Sequence, residues 1–359
     1  MRKILLFTDS LGAGGAQRQL VGLASMLHEG GYQVKVCYYH SIDFYKDFLD
    51  SSGVKNELIP NASIIYKRIF AIFKYFKREK PDWVIAYQEI PSLIACISKL
   101  LGGKYHLIVS ERNTTQHIGI NEHVRFFLYR WADAIVPNSY SQEEFLRRHY
   151  PWMSKNLHTI TNFVDLKKFH FVRHDRRIFP EVLVAATIRP SKNTSGLILA
   201  ASILKAKGLN FHISWYGYSD EFQVYYDECE TLIKDHDLVE FVSLFPKTKD
   251  IHRKYQEADY FCLPSFYEGT PNVICEAMSC GRPILCSDVC DNSIYVKEGE
   301  NGFLFNPCDI ESIANAIESA INLKPDEYLN HCCYSRKIAE DLLSENSFID
   351  KYISLIESK

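Results

Sequence analysis

The chain has 359 residues, with 41 lysines and arginines against 44 aspartates and glutamates, a net charge of -3 and 47% hydrophobic residues. That is too long for one ordinary α/β unit and apolar enough for two filled cores. It argues against nucleic-acid binding, since there is no large basic excess and no reader motif, and against a membrane span, since no apolar run approaches about 20 residues.

The first nine residues, Met1–Asp9, hold too short an apolar stretch for a secretion signal and read as a first β-strand, Lys3–Phe7. Further strands are expected at Val34–Tyr39, Trp83–Ala86, Tyr105–Val109, Ala134–Val136 and Leu157–Thr161, with helices between them such as Ala16–Glu29 and Glu122–Trp131. Residues 165–180, with Lys167, Lys168, Arg173, His174, Arg176, Arg177 and Pro180, read as a charged linker. A second alternation follows at Val182–Ala186, Phe211–Tyr216, Val239–Leu244, Tyr260–Leu263, Pro283–Cys286 and Gly302–Phe305, with helices at Thr194–Lys207 and Pro271–Cys280. Residues Asp326–Ser358 read as helical. Alternation of this kind implies βαβ units and parallel sheets, whose ligands sit at the carboxyl ends of the strands.

Charge divides unevenly. Residues 1–170 hold 22 Lys and Arg against 15 Asp and Glu, and the remainder holds 19 against 29. The basic half suits an anionic neighbour such as a membrane surface, a phospholipid acceptor or nucleic acid; solvated charge explains it equally well. The 11 cysteines include no C-x-x-C pair. Cys275, Cys280, Cys286 and Cys290 lie on apolar segments and read as small buried hydrophobes rather than metal ligands.

The densest chemistry lies in Ser265–Leu285. Thr270 reads as a helix N-cap, Pro271 as the first helical residue and Gly281 as the terminator, with Gly269 in the loop. A helix N-terminus presents free amides to a phosphate. Glu268 precedes that helix and Glu276 is expected about two turns inside it, so the two carboxylates reach opposite ends of an extended ligand; carboxylates accept well from paired sugar hydroxyls.

This string resembles the donor-binding signature of glycosyltransferase family 4, whose members have the GT-B architecture. The motif Glu-Gly-x-Pro-Asn, a second Glu after seven intervening residues, Ala-Met and Gly-x-Pro is matched by Glu268, Gly269, Pro271, Asn272, Glu276, Ala277, Met278, Gly281 and Pro283. The resemblance implies that Glu268 meets donor-sugar hydroxyls, that Glu276 binds the ribose diol, and that the amides of Thr270, Pro271, Asn272 and Val273 surround the sugar and diphosphate as far as each carries a proton. It extends to Gly14-Gly15-Ala16-Gln17-Arg18, similar to the family's N-terminal glycine loop, to Thr161–Asp165, and to Asn301–Leu304.

The implied fold is α/β, two Rossmann-like domains facing a central cleft: 1–170 for the acceptor, 171–335 for the nucleotide-sugar, and 336–359 as a helix crossing back to the first domain. The family's Arg and Lys on the diphosphate fall at Thr187 and Lys192. Thr187 replaces the Arg, so Lys192 and Arg189 are the expected diphosphate cations. The His that meets the donor sugar in many members is missing at Val109–Asn113, where Arg112 or Asn113 is the candidate; His117 and His123 are nearby. The resemblance further implies retention of anomeric configuration, a nucleotide-sugar co-substrate, and no metal or other cofactor.

Ala62–Lys80 holds six basic residues and one acid, with Ile and Phe at near-helical spacing. Such a helix either lies on an anionic membrane, which suits a polyprenyl-linked acceptor and a cytoplasmic protein at the inner membrane face, or buries its apolar side in the first core. Two other readings stay open: a GT-B epimerase, and a degenerate subunit that only binds nucleotide-sugar. A dehydrogenase fails because Gln17 stands where G-x-G-x-x-G needs its last glycine.

Overall fold

The computed structural model describes residues 2–359 apart from 61–64, 114, 116, 117 and 174. The chain forms two compact units, one of residues 1–162 with 346–359, the other of residues 163–345.

The first unit is a six-stranded parallel sheet of β1 (Lys3–Phe7), β2 (Gln33–Tyr38), β3 (Lys55–Leu58), β4 (Trp83–Tyr87), β5 (His106–Glu111) and β6 (Ala134–Pro137), in the order β3-β2-β1-β4-β5-β6. Its helices are α1 (Gly15–Glu29), α2 (Lys46–Ser51), α3 (Ile65–Glu79), α4 (Glu89–Leu100), α5 (Ile120–Leu128) and α6 (Tyr140–His149). Of the central strands, β4 is buried from end to end and β1 and β5 from their second residue on, as parallel strands covered on both faces must be. Strand β3 has no apolar run and escaped the sequence reading. It is an edge strand whose Glu57 takes an ion pair from Lys35 on β2 at 2.5 Å, with its ends anchored by the buried Val54 and Ile59. The expected strand at Leu157–Thr161 is only a single bridge, Ile135–Leu157.

The second unit repeats the architecture with β7 (Glu181–Ala185), β8 (His212–Tyr218), β9 (Val242–Pro246), β10 (Tyr260–Leu263), β11 (Ile284–Ser287) and β12 (Gly302–Phe305), in the order β12-β11-β10-β7-β8-β9. Its helices are α7 (Thr194–Ala206), α8 (Gln223–Asp235), α9 (Ile251–Glu257), α10 (Asn272–Ser279), α11 (Asn292–Tyr295), α12 (Ile310–Ile321) and α13 (Pro325–Leu343).

The expected linker is a docked strap of this unit. Val164 and Phe169 lie in its core with Tyr255 and Phe261. Arg176 donates to the Ile321 carbonyl at 2.6 Å, and the fully buried Arg282 donates to the carbonyls of Val172 at 2.5 Å and Ala258 at 2.8 Å. The unit therefore starts at 163, not 171, because apolar side chains of the strap lie in its core and hydrogen bonds of Arg176 and of the Val172 carbonyl tie the strap to it. Cys275, Cys280 and Cys286 are buried as expected, but Cys290 is exposed.

The C-terminal stretch is two helices, divided by extended backbone at Ser344. The second, α14 (Glu345–Glu357), buries Phe348, Tyr352 and Ile356 at helical spacing within the first unit. Among the described residues no helix is long and apolar enough to cross a membrane.

Candidate functional site: two carboxylates and a lysine at the carboxyl ends of the second sheet

Strand β10 ends at Leu263 and hands over to a loop that reaches α10. Ser287 on β11 pins that loop by donating to the carbonyls of Ser265 at 2.5 Å and Leu263 at 3.2 Å. The Phe266 amide donates to the Ser191 carbonyl at 3.1 Å, which ties the loop to the turn after β7. Thr270 is not the N-cap. Pro271 holds that position at φ -77° and ψ 84°, and the Asn272 amide bonds back to the Thr270 carbonyl at 2.9 Å. This is close to an inverse γ-turn, and it delays the helix by one residue.

Glu276 is therefore the fifth helical residue, one turn in rather than two. It is 5% exposed, and its Oε2 accepts from the Tyr255 hydroxyl at 3.1 Å. Tyr255 comes from α9, a contact 21 positions away that no spacing rule signals. Neither carboxylate is the free surface acid that a lone Glu in a loop or on a helix face most often is.

After β7 the chain passes Ala186, Thr187 and Ile188 to a single 3-10 turn, Pro190–Lys192, and then Asn193 in the left-handed region at φ 57°. Asn193 Nδ2 donates to the Pro307 carbonyl at 2.8 Å, fixing the turn. Lys192 Nζ lies 2.5 Å from Glu268 Oε1, with both side chains largely buried. Thr187 lies over Gly217 of β8. A Cβ on Gly217 would come 1.7 Å from the Ala186 carbonyl oxygen and 3.0 Å from the Thr187 amide. That close approach requires glycine at 217, which sequence reading overlooked. Arg189 is not on the strand, which ends at Ala185; it is half-buried in extended backbone, and its Nε is buried without a hydrogen-bond partner.

In the first unit the loop after β1 leads into α1 through Gly14, at φ -100° and ψ 158°. That conformation does not itself need glycine. A Cβ there would instead meet the side chain of Gln17, 2.2 Å from Oε1, and Gln17 Nε2 reaches Asp9 Oδ1 at 3.1 Å. Gly15 opens the helix. The order of the sheet reverses between β1 and β4, where open α/β sheets bind ligands. There Gln88 adopts φ 75° and ψ 169°, a region that glycine almost monopolises, and its Oε1 accepts from the Thr8 hydroxyl at 3.1 Å.

Arg112 is removed from the candidates for meeting a sugar. Its guanidinium donates to Asn162 Oδ1 and to the Tyr352 hydroxyl, each at 2.9 Å, and lies 4.2 Å from the Tyr87 ring centroid. It fastens α14 to the sheet. Asn113 is exposed, His123 bonds the Tyr150 hydroxyl at 3.0 Å on the outer surface of α5, and His117 lies outside the described residues.

Two family profiles divide the chain. The one described as Glycosyltransferase Family 4 matches residues 13–168, and the one described as Glycosyl transferases group 1 matches residues 168–336. The chain is 24% identical over 310 residues, 80% of its own length and 81% of the relative's, to the N-acetylgalactosamine-N,N'-diacetylbacillosaminyl-diphospho-undecaprenol 4-alpha-N-acetylgalactosaminyltransferase of Campylobacter jejuni. It is 25% identical over 309 residues, covering 79% and 78% of the two chains, to the UDP-Gal:alpha-D-GlcNAc-diphosphoundecaprenol alpha-1,3-galactosyltransferase of Escherichia coli. Among solved structures, Anabaena HepE in complex with UDP superposes with a TM-score of 0.87 at 19% identity, over 99% of this chain and 100% of that one. With both sheets, both profiles and these relatives in agreement, the chain belongs to glycosyltransferase family 4 and is a glycosyltransferase of the GT-B type.

Proposed function

We propose that the chain moves a hexose or N-acetylhexosamine from a UDP-sugar, with retention of anomeric configuration, onto a saccharide carried by a polyprenyl diphosphate. The observation that carries this reading is the grouping of Glu268, Lys192 and Glu276 about the β10–α10 loop. Two carboxylates suited to hydroxyl pairs flank a helix start, and a lysine stands beside the first of them.

In this reading Glu276, held by Tyr255, takes the ribose diol. Glu268 takes hydroxyls of the donor sugar. Lys192 and Arg189 face the diphosphate, with Thr187 beside them and the loop from Gly269 through Val273 lining the sugar and phosphates. Gly14 and Gly15, where α1 begins, let a ligand come close to the backbone of the first unit.

The acceptor oxygen bonds to the anomeric carbon on the face from which UDP departs. The bond to the β-phosphate oxygen breaks with its electron pair, and the acceptor proton passes to that oxygen. Lysine and arginine stabilise the charge that develops there, so the reaction needs no protein nucleophile and no resident metal or cofactor.

The UDP and polyprenyl parts are supported by what relatives are named for: the E. coli enzyme for UDP-Gal and diphosphoundecaprenol, the C. jejuni enzyme for a diphospho-undecaprenol acceptor. With a nucleotide-sugar donor and a lipid-linked acceptor, the proposed location is the cytoplasmic face of a membrane. Helix α3 suits that place. It buries Ile72, Tyr75 and Phe76 in the core but exposes Ile65, Tyr66 and Phe70, together with Lys67, Lys74, Lys77 and Arg78. Residues 62–64 of the basic stretch lie outside the described residues.

The test is incubation of purified protein with radiolabelled UDP-, GDP- and ADP-sugars and a polyprenyl-diphosphate-linked saccharide, followed by NMR of the product's anomeric proton. Transfer from a UDP-sugar with retained configuration is expected. Transfer from GDP- or ADP-sugars alone, or inversion, overturns the corresponding part.

A further inference from the structure

Helix α5 is turned against its own composition. It buries Arg125 and Phe126 and leaves Ile120, Val124 and Phe127 exposed at 82%, 48% and 53%. These three stand at i, i+4 and i+7, a single stripe of the helix. The cause is ionic. Arg125 is drawn inward by the fully buried Glu111, at 3.5 Å, and by Glu89 at 2.7 Å. Burial pushes the Glu111 carboxyl up, and the Arg125 charge and the Tyr129 hydroxyl work against that rise. With Arg125 inside, the apolar stripe has nowhere to go but outward.

The stripe continues across an open apolar groove of about 470 Å³ lined by His123, Val124, Phe127, Leu128, Tyr150 and Trp152. Arg130 lies over the rings of both Phe127 and Trp152, at 5.1 and 4.9 Å from their centroids. Arg147, Arg148 and Lys155, which flank Tyr150 and Trp152 in the chain, are exposed, with Arg147 paired to Glu143. The acids of these segments are Glu122, which caps the α5 N-terminus through Gly119, Glu143, paired to Arg147, the exposed Glu144, and Glu89, paired to Arg125.

We propose that the α5 stripe with Trp152 is a second membrane-contact surface of the first unit, separate from α3, and that its occupant is the surface of an anionic lipid bilayer. Aromatic rings under an arginine suit the boundary between acyl chains and headgroups. The surrounding lysine and arginines complement anionic headgroups. Helices α3 and α5 both pack against α4, so their exposed apolar residues lie on the same side of the sheet. Three or four inserted side chains supply the apolar part and the basic residues the electrostatic part, the two signals that stable peripheral attachment takes. The proposal rests on the reading of a lipid-linked acceptor, but its readout is independent of catalysis.

The experiment is flotation of the full chain with phosphatidylethanolamine–phosphatidylglycerol vesicles and with phosphatidylcholine vesicles, alongside Val124→Ser/Phe127→Ser and, separately, Phe70→Ser/Lys74→Glu on α3. All altered residues are exposed, and unchanged melting temperatures check the fold. The wild type is expected to float with the anionic vesicles and less at high salt, and the α5 variant to lose about tenfold or more of that binding. Brominated lipid should quench Trp152 emission, and transfer to a short-chain, water-soluble acceptor should be unaffected in the α5 variant. The proposal is overturned if the α5 variant floats like the wild type, if the wild type does not float, or if sedimentation shows a dimer that this variant alone abolishes without vesicle binding. Failure of transfer from every donor, with vesicle binding intact, would overturn the proposed reaction and leave this surface standing.

Discussion

Lys192 and Glu268, 76 positions apart in the chain, meet at 2.5 Å where the turn after β7 touches the loop after β10. Each side chain is mostly out of water, so the ion pair holds both groups in place and loss of one partner leaves the other as a largely buried, unpaired charge. The two residues thereby act as one unit, in which cation and carboxylate each orient the other.

Replacing one member tests the division of labour. Lys192→Ala should lower the transfer rate by about 100-fold to 1,000-fold, the usual loss when one preorganised charge on a leaving group is removed. Glu268→Gln should keep the thermal stabilisation by UDP alone while losing the extra stabilisation by the full UDP-sugar. If Glu268→Gln abolishes the response to UDP itself, Glu268 does not serve the sugar.

Glu276 and its tyrosine should act on binding and not on chemistry. Glu276→Ala should abolish the melting shift produced by UDP. Tyr255→Phe removes one buried hydrogen bond to a carboxylate and should weaken UDP by about 1 to 2 kcal/mol, roughly 5-fold to 30-fold, with kcat unchanged. Titration calorimetry with UDP and steady-state kinetics measure the two; a fall in kcat with unaltered UDP binding contradicts the assignment.

Gly217→Ala should be the most damaging of the small substitutions around the site. Its new methyl would meet the backbone of Ala186, which cannot rotate away. A loss of about 3 kcal/mol is expected, read as a lower urea midpoint with an unchanged slope. A near-neutral outcome would mean that the β7–β8 loops separate easily.

Acid should loosen the β2–β3 edge before the rest of the first unit. Burial works against ionisation of Glu57, but hydrogen bonds from Lys35, Arg78 and Tyr75 outweigh it and bring the carboxyl down to about 2 from 4.5. A carboxylate lowered by folding contributes its stability above its unfolded value, and the contribution fades as pH falls from about 4.5 towards about 2. Denaturation midpoints across that window should fall, and Glu57→Gln should flatten this part of the profile. An unaltered profile in the variant would assign the acid sensitivity elsewhere.

Transfer should survive EDTA, because Lys192 and Arg189 are the proposed source of positive charge on the diphosphate. Loss of activity in EDTA with recovery on adding Mg²⁺ would show that a metal shares that task.

Much of this protein was legible from residue order. Strands such as Trp83–Tyr87 and Tyr260–Leu263 are buried on both faces, so their apolar runs are continuous and announce themselves. The Glu268–Pro283 string carries its turn, helix and terminator in local chemistry, down to Gly281 at φ 75°. Local signals ran out where partners are distant. Strand β3 carries an ion pair from Glu57 to Lys35 on β2, Arg112 belongs to Tyr352 and Asn162, and Tyr255 orients Glu276 across 21 positions. Periodicity shows that α5 has an apolar stripe, but not which side faces the core. That was decided by partners on other elements: Arg125 turns inward to Glu111 on β5 and Glu89 on α4, and the three apolar side chains are left facing out. Sequence patterns report what each segment prefers alone; the fold chooses among those preferences by the burial of groups that only three dimensions bring together.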